Sequence, residues 1–286
     1  MMIAVIECLA TVTLVAAPVA RTAPGGTITY SRLTDGTWQI WRYTLSSGAS
    51  LQVTFDRRDK RYPMPGVGGL IYYHTSNQEP FSVNPVSGEV LPVLEGLAPL
   101  RGATASPDGS KVVFSKIRTD IEDSSNLWMA RGDGTSPQTL TLDPGIQDQP
   151  AWSPDGRTLA FVNGQGYEKY EICLLSLQDR TITRLTSNTS HEFFPAWSPD
   201  GTSIAYSSDA TGDYEIWVMD PTGKNARQIT KSPGLDSRPS WSPCGNWMAF
   251  TSRRSGELEI WRSAPDGSDQ QRLFNAGAPA CDPLWQ

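Results

Sequence analysis

The chain has 286 residues, a net charge of -6, 38% hydrophobic residues and 19% charged residues. That balance excludes disordered and fibrous classes and suits a soluble globular protein with a sizeable core. It also argues against a nucleic-acid partner, because phosphate binding needs clustered Lys and Arg, and the one basic cluster, Arg57, Arg58, Lys60 and Arg61, is interrupted by Asp59.

Residues 2–20, MIAVIECLATVTLVAAPVA, are mostly apolar and end in small residues before Arg21, the pattern of an export signal cleaved near Ala20. Glu7 lies inside the apolar run and no basic residue precedes it, so an uncleaved anchor is the alternative. Cys8 follows Glu7 and is a poor lipidation candidate. No other segment is apolar enough to span a membrane.

From about residue 25 the chain is an internal repeat. The strongest copies begin at Pro150 (PAWSPDGRTLAF), Pro195 (PAWSPDGTSIAY) and Pro239 (PSWSPCGNWMAF), which puts Trp152, Trp197 and Trp241 at a period near 44 residues. Within one unit, Ile204-Ala205-Tyr206 and Glu215 to Met219 read as strands, SPDG at 198–201 as a tight turn and Arg227 to Thr230 as an outer strand. Each unit is expected to be a four-stranded antiparallel meander.

Counting the middle strands gives six units: Ile28-Thr29-Tyr30, Leu70-Ile71-Tyr72, Val112-Val113-Phe114, Leu159-Ala160-Phe161, Ile204-Ala205-Tyr206 and Met248-Ala249-Phe250. Repeated four-stranded units predict an all-β, six-bladed β-propeller over residues 25–286. Pro283-Leu284-Trp285 begins a unit that does not continue, while the first unit lacks Pro-x-Trp. The C-terminal strand is therefore expected to complete the N-terminal blade.

The WSPDG block, the IAF-type strand and the EIWVMD strand resemble the repeats of the TolB-type β-propeller family, also seen in the propellers of tricorn and prolyl-oligopeptidase-like proteases. The likeness is strongest from Pro150 to Arg262 and weakest before Tyr73. It implies the propeller fold and, by analogy, an envelope protein that binds other proteins; TolB itself carries an additional N-terminal α/β domain, which is not expected in this chain, so TolB's own specific role is not carried over.

A nucleophilic hydrolase would need a Ser elbow and a His base. The chain has His74 and His191 only, and no GxSxG. His191 stands in a loop, where a solvated residue is the bland reading. The four cysteines, Cys8, Cys173, Cys244 and Cys281, show neither CxxC pairs nor metal-ligand spacing, and pairing of Cys244 with Cys281 stays open. Acidic oxygens at Asp209, Asp213 and Glu215 admit a Ca2+ reading, against which turn and strand-end roles weigh more; the expectation is no cofactor.

Five and four residues before each Trp position lie Asp59/Lys60, Leu100/Arg101, Gln147/Asp148, Glu192/Phe193, Asp236/Ser237 and Ala280/Cys281, near one mouth of the expected channel. The candidate binding rim is Arg61, Arg101, Asp148, His191, Glu192, Asp236, Arg238 and Asp282, with capping of strand ends as the competing role. The functional expectation is a noncatalytic, monomeric binding propeller in the periplasm or secreted, taking a protein, peptide or polar small molecule at the channel mouth. A propeller hydrolase or lyase, or a gating domain for a protease, is the alternative; an uncleaved residues 2–20 would supply the membrane contact.

Overall fold

The computed structural model describes residues 24–121, 124–164 and 169–286. The export-signal expectation at residues 2–20 lies outside them. Among the described residues the elements are twenty-four strands and one short 3-10 turn, Val67–Gly69. The first repeat supplies β1 (Thr27–Thr34), β2 (Thr37–Thr44) and β3 (Ala49–Gln52); the second β4 (Lys60–Pro65), β5 (Ile71–Thr75), β6 (Pro80–Val83) and β7 (Val90–Pro92). Next come β8 (Leu100–Ala105), β9 (Lys111–Ile117), β10 (Ser125–Arg131) and β11 (Gln138–Thr139), then β12 (Ile146–Trp152), β13 (Thr158–Gly164), β14 (Tyr170–Ser176) and β15 (Ile182–Arg184). The chain ends with β16 (Glu192–Trp197), β17 (Ile204–Ser208), β18 (Glu215–Met219), β19 (Arg227–Gln228), β20 (Asp236–Trp241), β21 (Met248–Ser252), β22 (Glu259–Ser263), β23 (Gln271–Arg272) and β24 (Ala280–Trp285).

Local chemistry explains the meander. In the fifth repeat, Ser198 Oγ donates to Asp200 Oδ1 at 2.6 Å, the Thr202 N–H donates to the same oxygen at 3.0 Å, and Gly201 takes the left-handed φ of 71° that closes the turn. The returning strand β17 is buried at every residue, so it reads as a continuous run rather than an alternation. Outer strands are short and exposed, which limits unpaired edge.

The architecture is an all-β propeller built of four-stranded antiparallel sheets. Six separate blades were expected; four sheets are separate and four-stranded, while the remaining eight strands form one sheet, because a parallel bridge from Ser125 to Ile146 joins β10 to β12. The inner strands β4, β8, β12, β16, β20 and β24 contact one another in sequence, and β24 contacts β4, so they enclose a channel. The C-terminal strand pairs with β1, Ile28 opposite Trp285, and the backbones of Thr27 and Gln286 exchange two hydrogen bonds of 2.7 and 2.8 Å. An apolar cluster fills each seam between neighbouring repeats, as with Ile28, Tyr30, Trp247, Phe274 and Trp285 at the closure. Among the described residues no helix is long and apolar enough to cross a membrane. Cys173, Cys244 and Cys281 are free, which removes the Cys244–Cys281 disulfide: Cys281 is buried in β24 while Cys244 is exposed in a turn.

Candidate binding site in the central channel

Every inner strand breaks register at the same place. The shifts fall between Arg61 and Met64, Arg101 and Thr104, Asp148 and Ala151, Phe193 and Ala196, and Ser237 and Ser240, with the matching irregularity of β24 opposite Thr29 to Ser31. Each bulge has one residue in the left-handed region: Tyr62 (φ 60°), Gly102 (58°), Gln149 (54°), Phe194 (56°), Arg238 (59°) and Asp282 (57°). For the five that are not glycine this costs roughly 1–2 kcal/mol each, and all five precede a proline, which disfavours the conformation further. A bulge adds a residue to one strand and re-aims a side chain, and strain of this kind gathers at binding surfaces. Here the re-aimed side chains face the channel, where a cavity of ≈ 1010 Å³ is lined by all six inner strands.

The strongest charges meet at Asp282. Arg61 Nε donates to its Oδ2 at 2.9 Å, and Arg238 Nε stands 2.9 Å from its Oδ1. The Asp282 side chain is 3% exposed; burial alone would raise its pKa, but the guanidiniums of Arg238 and Arg61 outweigh burial and hold the carboxyl below its ordinary value. Both guanidiniums also stack on aromatic faces. Arg238 lies 3.8 Å from the Phe194 ring centre and 4.2 Å from that of Tyr62, and Arg61 lies 4.3 Å from that of Trp38. The channel wall thus carries a layered series, Phe194, Arg238, Tyr62, Arg61 and Trp38.

A second, weaker pair lies along the wall. Arg101, half-exposed, stands 3.8 Å from Asp148, whose pKa is raised by burial although the Gln149 N–H and Arg101 pull it back. His74 also lines the cavity; burial lowers its pKa to about 4, and its Nε2 accepts from the Ala103 N–H at 3.3 Å, so the ring is neutral.

Of the eight rim residues expected from the sequence, Arg61, Arg101, Asp148, Arg238 and Asp282 line the channel cavity and three do not. Glu192 and Asp236 are fully buried in the seams instead. Glu192 accepts from Asn188 Nδ2 and Ser208 Oγ, both at 3.0 Å, and burial raises its pKa, aided by the charge of Glu171. Asp236 accepts from Arg254 Nη2 and from Ser232 Oγ. His191 stands outside the channel cavity with its Nδ1 3.0 Å from Asp209 Oδ2. The Ca2+ segment is dispersed likewise: Asp209 faces His191, while Glu215 accepts from Thr230 Oγ1 at 2.6 Å. Among the described residues no group of three or more His, Cys, Asp and Glu could hold a metal ion.

The bulge of the second repeat aligns Pro65 with the tryptophans, so Lys60 and Arg61 occupy the places assigned above to Asp59 and Lys60. Tyr62, Gln149 and Phe194 were not anticipated; the signal available for them was their position immediately before a proline, that of Pro-x-Trp for Gln149 and Phe194 and that of Pro63-Met64-Pro65 for Tyr62. A further missed set is the buried Thr54, Thr141, Thr186 and Thr230, each accepting the N–H of a second strand, as Thr186 Oγ1 does from Ile172 at 2.9 Å.

A closed all-β ring whose inner strands carry a bulge at the same place and differ in the side chain presented there is a β-propeller that turns its variable side chains toward a central channel. The chain belongs to the TolB beta propeller domain family, whose model matches residues 122–286. Solved structures of similar fold include the putative TolB from Agrobacterium tumefaciens, with a TM-score of 0.75 and 19% identity over 91% of this chain and 92% of that one. TolB from Acinetobacter baumannii superposes with a TM-score of 0.79 at 19% identity, covering 91% of this chain and 66% of that one. An oligogalacturonate lyase in complex with manganese gives 0.63 at 16% identity, covering 88% and 74%. At these identities the likenesses speak to fold alone. No curated protein matches the chain.

Proposed function

We propose that the chain is a noncatalytic binding module of the cell envelope, in which six repeats act as one ring and a peptide or polar ligand is taken at the channel mouth. The Arg61–Asp282–Arg238 cluster carries this reading: it sits on strained bulges, is layered with aromatic rings and opens on the ≈ 1010 Å³ cavity. The absence of a GxSxG elbow from the sequence supports the noncatalytic reading, as does the burial of His74, whose Nε2 is taken by the Ala103 N–H. An export signal at residues 2–20 and a monomeric state belong to the same reading, and the net charge of -6 disfavours a nucleic-acid partner. The test is affinity capture from an envelope fraction with the full chain and with an Arg61→Gln, Arg238→Gln double variant. A partner retained by the former and lost by the folded variant is expected. Equal capture by both, or metal-dependent turnover of a peptide or oligosaccharide by the wild-type chain, would overturn the proposal.

A further inference from the structure

Beside the main channel, on the side of the last three repeats, lies a second cavity of ≈ 430 Å³. Its wall is mostly apolar: Phe193, Phe194, Tyr214, Leu235 and Leu258 contribute to it. Phe193 anchors these rings, with its centre 5.9 Å from those of Phe194 and Tyr214 and 4.8 Å from that of Tyr170. The charged groups in the wall are Arg61, Arg238, Arg253 and Asp282, three guanidiniums against one carboxylate in a chain of net charge -6. The cavity is therefore a local reversal of the molecule's charge.

The three arginines are not equivalent. Arg61 and Arg238 are both committed to Asp282. Arg253 makes no side-chain hydrogen bond or ion pair with a described residue, and its backbone is fixed by donation from its N–H to the Leu235 carbonyl at 2.8 Å. The Tyr214 hydroxyl likewise has no protein partner among the described residues, while the Tyr214 carbonyl is held by the Asp236 N–H at 2.7 Å. An arginine and a tyrosine whose side-chain polar groups are uncommitted among the described residues thus line an aromatic pocket, with their backbones pinned. A guanidinium presents parallel N–H donors that match the two oxygens of a carboxylate, and the rings match an apolar body next to it.

We propose that this cavity binds a free carboxylate carried on an aromatic or branched apolar group, the chemistry of the last residue of a peptide ending in Phe, Trp or Leu. The proposal rests on the channel-mouth reading above and names the ligand class for it. A cationic terminus is disfavoured by the net positive wall, and a volume of this size suits one or two residues rather than a folded domain.

The test is calorimetric titration of the full chain with an acetylated tetrapeptide ending in Phe, the same peptide as its C-terminal amide, and N-acetylphenylalanine. The free acid is expected to bind at least ~10-fold more tightly than the amide. Arg253→Gln, at an exposed position, is expected to bring the acid down to the amide's affinity and leave the amide unchanged. Tighter binding of the tetrapeptide than of N-acetylphenylalanine identifies a chain end as the source of the carboxylate, and equal binding identifies a free acid; either supports the proposal. Equal affinity of acid and amide, absence of binding by all three probes, or an Arg253→Gln variant that keeps the preference for the acid would overturn it. If acid and amide bind equally and both are lost in the Arg61→Gln, Arg238→Gln variant, the channel-mouth reading stands while this one fails.

Discussion

At the scale of single residues, two buried carboxylates titrate with opposite consequences. Burial pushes the pKa of Asp282 up, but Arg238 and Arg61 overcome it, and the folded value lies below the unfolded one. The stabilisation it gives is present above the ordinary carboxylate range and is lost as pH falls through the lowered pKa. Asp282→Ala is expected to cost about 3–5 kcal/mol at pH 7, since it leaves two guanidiniums without their counter-charge, and progressively less as pH falls through the lowered pKa; urea unfolding over an acid pH series measures the decline. Glu192 is the reverse case. Burial and the charge of Glu171 raise its pKa, so its favourable state is the protonated one, fully populated below the ordinary Glu value and lost as pH rises. Other groups coupled to it, Tyr206 and Tyr214, are neutral in this range, their pKa values being raised by burial. Glu192→Gln is expected to stabilise the fold by on the order of 1 kcal/mol at pH 8 and by little at pH 4, where an unchanged difference between the two pH values would refute the assignment. The adjoining seam already uses this solution, for Gln147 stands there and accepts from Asn126 Nδ2 at 2.7 Å. None of this pairing was legible in the chain. Glu192 and Asp236 sit in the sequence like rim residues, and only the packing of one repeat on the next turns them inward.

At the scale of elements, the turns and middle strands were readable because their chemistry is local. SPDG sets its own φ values and strands rich in branched and aromatic residues follow it, so the positions of β17 and β18 agree with the sequence reading. Outer strands are shorter than expected: Arg227 to Thr230 gives only Arg227–Gln228 as strand, because the Ile229 and Thr230 N–H groups turn to the Ile216 carbonyl. The bulges escaped notice because the left-handed residue differs in every repeat, and its conformation is dictated by the ring rather than by its own preference. The turns also supply a test. Ser106, Ser153 and Ser198 each donate to an Asp two residues on at 2.6 Å, whereas Ser242 has Cys244 Sγ at 3.4 Å. Cys244→Asp is expected to restore the charge-assisted acceptor and raise stability by about 0.5–1.5 kcal/mol, seen as a higher denaturant midpoint with an unchanged slope.

For the whole molecule, the decisive element is β24, because its pairing with β1 converts an open row of repeats into a ring. Trp285 is buried, its Nε1 donates to the Gly25 carbonyl at 2.8 Å, and a Cβ at Gly26 would collide with the Gln286 carbonyl. Removing residues 280–286 is expected to lower the melting temperature by well over 10 °C and expose the edge of β1 to aggregation, while Trp285→Ala costs about 3–5 kcal/mol; an unaltered melt of the truncated chain would refute closure as the source of stability. The sequence by itself determined the repeat, its strands and turns, and the likeness to the TolB-type propeller, since these depend on periodicity and on residues acting on near neighbours. Tertiary structure alone decided that two repeats share one sheet, that Glu192 and Asp236 are buried while Arg61 and Arg238 converge on Asp282, and that Phe194 and Tyr62 face the channel. Those outcomes depend on residues up to 221 positions apart, as in the Arg61–Asp282 pair, meeting across the ring. The order of residues along the chain carries no record of that proximity.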